Sequence, residues 1–144
     1  LISAGHTSFH GRPHAEVNAI NFSKKNTINS HLYSTLEPCS NHGKTPPCVN
    51  SIIKAKIKKV FFSIKDPDIK SYGKSFKKFR NNKIIVNKNL LNNEIKKFYK
   101  SYIISKSKKL PFVTCKLAIT RDYFMVNKKK NGLQIYNHVE EYIC

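Results

Sequence analysis

Residues 35–48 read Thr-Leu-Glu-Pro-Cys-Ser-Asn-His-Gly-Lys-Thr-Pro-Pro-Cys, and residues 13–16, two dozen positions upstream, read Pro-His-Ala-Glu. Together they supply one imidazole, His14, and two thiols, Cys39 and Cys48, the soft donors that zinc takes at tetrahedral angles. Three protein ligands leave a fourth position for water, the arrangement of catalytic rather than structural zinc. Glu16 lies two residues beyond His14 and is not required as a ligand. A carboxylate beside an activated water can take up its proton and hand it to a departing group. His14 and Cys48 both fall at expected helix starts, where the helix dipole is positive and favours the ligating thiolate.

The surrounding pattern alternates strands and helices. Pro13 opens a helix expected to run to about Lys24, with apolar residues at Ala15, Val17, Ala19, Ile20 and Phe22. Leu32–Leu36 is β-rich and reads as a strand. Residues 37–47 carry loop chemistry, and Cys48 begins a second helix through Val49, Ile52, Ile53 and Ala55. Lys59–Ile64 reads as a buried strand, Lys74–Phe79 as a short helix, Lys83–Val86 as a strand, Leu90–Ser105 as a helix and Leu110–Ile119 as a further strand. Such alternation implies a largely parallel sheet covered on both faces. The 144 residues suffice for one domain and its core, not for two full domains.

The formal charge is +19, mostly from Lys. Charge of this size points toward nucleic acid. Here, however, the lysines are scattered from Lys24 to Lys130 among abundant Asn and Ile, as AT-rich codons alone would produce, so a polynucleotide partner is not favoured. The apolar runs, such as Val60-Phe61-Phe62, are too short to span a bilayer, and no signal-peptide pattern is present, so the expectation is a cytoplasmic protein. Of the four cysteines, Cys39 and Cys48 sit close together beside Pro and Gly, while Cys115 and Cys144 are isolated, which favours metal or catalytic use over a disulfide framework.

His-x-Glu followed by Pro-Cys and a second Cys is the signature of zinc deaminases. The eight residues between Cys39 and Cys48 exceed the short form of that signature. The whole string Thr35–Cys48 closely resembles the riboflavin-biosynthesis deaminases, which act on a diaminohydroxyphosphoribosylaminopyrimidine and are often fused to a reductase. Gly11–Glu16, Ile57–Val60 and Asp66-Pro67 resemble the same family, and Pro111–Ala118 resembles the first strand of its reductase domain.

The resemblance spans about residues 1–127. It implies a cytidine-deaminase-like three-layer α/β/α sandwich over residues 1–108, lacking the family's N-terminal helix and strands and so exposing a sheet edge. The start of a reductase domain would follow at residues 109–130, too short for a dinucleotide site, so no reductase activity is expected. It further implies zinc on His14, Cys39 and Cys48, proton transfer by Glu16, a phosphorylated pyrimidine as substrate with Lys44 near its phosphate, and self-association as an option.

Two positions depart from the family. Asn41 stands where a substrate-contacting His is usual, with His42 next to it, and Thr7 occupies a position where many relatives carry His. The tail 131–144 does not resemble the family, whereas a one-base shift in permitted codons restores a family-like string, so it reads as frameshifted translation. A nucleoside or transfer-RNA deaminase and an inactive zinc-binding remnant are the competing readings.

Overall fold

The computed structural model describes residues 1–24, 26–68 and 71–117. These contain three strands and five α-helices: α1 (Ala15–Phe22), β1 (His31–Leu36), α2 (Cys48–Lys54), β2 (Lys59–Ile64), α3 (Lys74–Asn81), β3 (Ile85–Lys88), α4 (Asn92–Phe98) and α5 (Lys100–Lys108). A short 3-10 turn, Phe9–Gly11, precedes α1. Two compact units divide at Phe112/Val113, and every element named above lies in the first.

The sheet is parallel throughout, in the order β1-β2-β3. Leu36 pairs with Ile64 at the carboxyl end of β1, and Phe62 with Lys88 at that of β3. The central strand, Lys-Val-Phe-Phe-Ser-Ile, is the most apolar because it is covered on both faces. Its even residues Val60 and Phe62 join Val49 and Ile52 of α2, Phe79 of α3, Ile57 and Ile84 in the buried core. Val17 and Ile20 of α1, with Leu32 and Val86 of the flanking strands, pack against that core.

The opposite face meets α4 and α5. The Tyr99 hydroxyl lies 3.0 Å from Thr35 Oγ1, and the Tyr102 hydroxyl donates to Asp66 Oδ1 at 3.1 Å. Burial raises the Asp66 carboxyl above its usual value, and burial together with that carboxylate raises the Tyr102 hydroxyl. The architecture is thus the expected three-layer sandwich, with β1 as an edge strand of the described sheet.

Element boundaries differ from the sequence expectation where backbone geometry intervenes. α1 begins at Ala15 because His14 is extended, and it ends at Phe22 ahead of Lys24, which has φ 50°. Lys83 has φ 57°, so β3 begins only at Ile85. The single helix expected over Leu90–Ser105 is two: Leu91 is left-handed, and Tyr99, at φ −88° and ψ 13°, separates α4 from α5. Residues 110–117 are exposed and form no strand; Ala118, Ile119 and the tail 131–144 lie outside the described residues.

The segment before α1 is laid tightly on that helix. Ser3 Oγ donates to Ala19 O at 2.7 Å, and Asn18 Nδ2 donates to His6 O and Ser8 Oγ, each at 2.8 Å. Gly5 makes the approach possible: a Cβ there would stand 2.5 Å from Ala15 O and 2.6 Å from Ala19 N, backbone atoms that cannot swing aside. Gly5→Ala is therefore expected to cost about 1–3 kcal/mol through overpacking, read as a lower urea midpoint at unchanged m-value.

Candidate metal centre

Three chain segments converge beyond the carboxyl end of β1. His14 caps α1 from its N-terminal side, with its carbonyl accepting from Asn18 N at 3.1 Å. Cys39 follows β1 by three residues, and Cys48 is the first residue of α2. His14 Nδ1 lies 3.2 Å from Cys48 Sγ and 3.5 Å from Cys39 Sγ, and the three donor atoms all fall within 4.8 Å of one another. Donors on a tetrahedral zinc sit about 3.5–3.8 Å apart, given Zn–S and Zn–N bonds of about 2.3 and 2.0–2.1 Å. One nitrogen and two sulfurs at these separations fit zinc in number, softness and spacing. No other such group of three occurs among the described residues.

The backbone prepares the sulfurs. Cys48 N–H donates to Cys39 Sγ at 3.2 Å, and Val49 N–H donates to the Cys39 carbonyl at 3.2 Å, so the first turn of α2 holds both the sulfur and the main chain of Cys39. The Cys48 thiol hydrogen bond, opposed by burial, pulls Cys39 down to about 4, a thiolate at neutral pH. The same bond and burial push Cys48 up, because it holds the proton the pair shares. As metal ligands both cysteines would be thiolates, so that proton would have to leave.

Glu16, on the first turn of α1, reaches the same point, with Oε2 3.8 Å from Cys48 Sγ. Burial raises its carboxyl above the ordinary value, the direction that suits a group passing protons near neutral pH. A cavity of about 460 Å³ between the N-terminal segment, α1 and β1 has Glu16 in its wall, with Gly5, Ala19, Leu32 and Ser34, and none of the three donors.

The other residues expected at the site are half-buried or exposed. Asn41 is half-buried, and His42 is exposed with Nδ1 3.2 Å from Gly43 O. Lys44 and Thr7 are exposed. Sequence reasoning missed Arg12, whose guanidinium lies beside Gly43 of the same loop, and Glu37, which is buried behind the site.

This centre at the strand ends of a three-layer sandwich defines a cytidine-deaminase-like zinc protein. The family model for the cytidine and deoxycytidylate deaminase zinc-binding region matches residues 1–64. A diaminohydroxyphosphoribosylamino-pyrimidine deaminase of Buchnera aphidicola is 38% identical over 102 residues, covering 71% of this chain and 69% of that one. The riboflavin biosynthesis protein RibD of Bacillus amyloliquefaciens is 37% identical over 122 residues, 85% of this chain and 33% of its own length. Among solved structures, the Thermotoga maritima diaminohydroxyphosphoribosylaminopyrimidine deaminase/reductase superposes with a TM-score of 0.75 at 41% identity, covering 85% of this chain and 36% of that one. The chain belongs to the riboflavin-biosynthesis deaminase family, and it spans about a third of the length of the first RibD relatives it matches.

Zinc content tests the donor set directly. Wild-type protein is expected to carry about one zinc per chain. His14→Ala, Cys39→Ser and Cys48→Ser should each lose it, while Cys115→Ser, which alters an exposed thiol outside the group, should keep it.

Proposed function

We propose that this chain removes an amino group by hydrolysis from the diaminopyrimidinone ribosylamino-phosphate of riboflavin biosynthesis. The observation that carries the reading is the convergence of His14, Cys39 and Cys48 with Glu16 at hydrogen-bonding range, in a chain 38% identical to a deaminase of that name. His14, Cys39 and Cys48 would hold zinc, which would supply an activated water as nucleophile.

Glu16 is assigned the proton traffic. Its carboxylate takes one proton from the nucleophile and gives it to the ring nitrogen, then takes the second from the hydroxyl of the adduct and gives it to the amine, so that ammonia departs neutral as the C–N bond breaks and the carbonyl forms. Enclosure of the carboxyl, which raises its proton affinity, supports this role. Lys44, a flexible cation on the exposed loop between the two cysteines, is assigned to the phosphate. Asn41 offers an amide to the pyrimidine edge in place of the usual imidazole, with His42 and Thr7 as the further polar groups at the rim.

Free Cys39 and Cys48 need a reducing compartment, which supports a cytoplasmic placement. No helix among the described residues is long and apolar enough to cross a membrane.

Glu16→Gln is expected to keep its zinc and to lose about 10²–10⁴-fold in ammonia release from the pyrimidine substrate. Lys44→Met should raise KM about tenfold or more, the value of a lost charge-assisted hydrogen bond, with a smaller change in kcat. Zinc-loaded wild-type protein that releases no ammonia from this substrate overturns the proposal.

A further inference from the structure

Cys39 is the zinc donor farthest from any regular element: β1 stops at Leu36 and α2 begins at Cys48, whereas His14 is the N-cap of α1 and Cys48 the first residue of α2. A ligand on such a segment needs its position fixed from outside, and the structure shows how. On the upstream side, the Glu37 carboxylate is buried at 2% exposure. It accepts from Asp66 N at 3.3 Å, Gly73 N at 3.0 Å, Ser75 N at 3.3 Å and Ser75 Oγ at 2.6 Å. On the downstream side, Lys78 Nζ donates to the Ser40 carbonyl at 2.7 Å. Ser75 and Lys78 are three apart on α3, hence on one face of the helix. They take hold of the chain two residues before and one residue after Cys39. Pro38, between the two anchors, is fully buried and stiffens the span.

We infer that Ser75 and Lys78 of α3 are positioning residues for the zinc centre, clamping Glu37 and Ser40 so that Cys39 Sγ is held against His14 and Cys48 before the metal arrives. The inference rests on the zinc reading given above. Neither residue touches the donor atoms; each acts through the backbone of the ligand. Outer partners that orient a ligand are worth about ten- to hundredfold in metal affinity. Lys78 has a large exposed fraction, so replacing it removes the bond to Ser40 and leaves the core intact.

The test uses the full chain as wild type, Ser75→Ala, Lys78→Met, Lys78→Arg and Lys77→Met. Lys77→Met removes an equal charge from the exposed side of the same helix. Zinc affinity is read by competition with a chromophoric chelator, and ligand geometry by the absorption bands of the cobalt-substituted protein. Ser75→Ala and Lys78→Met are expected to bind zinc about ten- to hundredfold more weakly and to shift the cobalt bands, while Lys78→Arg and Lys77→Met match wild type. If Ser75→Ala does not fold, Lys78→Met decides. Wild-type affinity and an unshifted cobalt spectrum in Lys78→Met overturn the clamp. A wild-type chain that takes up no zinc overturns the metal reading and the clamp together; zinc uptake without ammonia release overturns the substrate reading alone, and affinity then judges the clamp.

Discussion

A carboxylate removed from water must have its oxygens bonded, and Glu37 meets that condition with four donors, two from the connection between β2 and α3 and two from Ser75 in the first turn of α3. Much of the active end follows from it. The parallel register that sets Leu36 beside Ile64 brings Glu37 to the start of the chain leaving β2, where its carboxylate accepts from Asp66 N and gathers the loop that leads into α3. Asp66 in turn accepts from Tyr102, which draws α5 to the same end of the sheet. Loss of the Glu37 carboxylate would leave three backbone N–H groups and a hydroxyl short of a partner, a cost of about 1–3 kcal/mol for each group that stays buried.

The division of labour around the metal has a physical logic. Helices α1 and α2 present His14 and Cys48 at their N-terminal ends: His14 is the N-cap whose carbonyl accepts from Asn18 N, and Cys48 is the first helical residue. Glu16 lies in the first turn of the helix that His14 caps, so the two side chains are tied to one element. Cys39 depends on tertiary contacts, from the first turn of α2 and, behind it, from α3. The scattered lysines take little part in this arrangement, Lys78 excepted.

The donor set was legible in the sequence because zinc ligands are few in kind and their order, His-x-Glu then Pro-Cys, carries the chemistry on its face. Strand and helix identities were legible for the same elements that build the core: the apolar run at β2 and the helical spacing in α1 and α2. The boundaries were not, since left-handed residues such as Lys83 and Leu91 are neither glycine nor asparagine and give no local warning. The helix expected across Tyr99 broke although its apolar spacing continues, because periodicity records which face is buried and not whether the axis turns. Glu37 stood inside the quoted motif, yet nothing local distinguishes a buried carboxylate from a solvated one. Ser75 and Lys78 lie 36 and 39 positions beyond Cys39, so no motif of local spacing could have linked them.

Cys48 has two memberships. It is 1% exposed and belongs to the hydrophobic core with Val49, Ile52 and Phe62, while its sulfur faces His14. Metal occupancy and core cohesion are therefore one thermodynamic property of this molecule, and free zinc enters its folding equilibrium as a reactant. The melting temperature of a preparation becomes a gauge of how fully it is metallated. The same coupling narrows the evolutionary freedom of α2: a change that loosens the packing beneath Cys48 also disturbs the ligand, even where the new side chain lies entirely within the apolar interior.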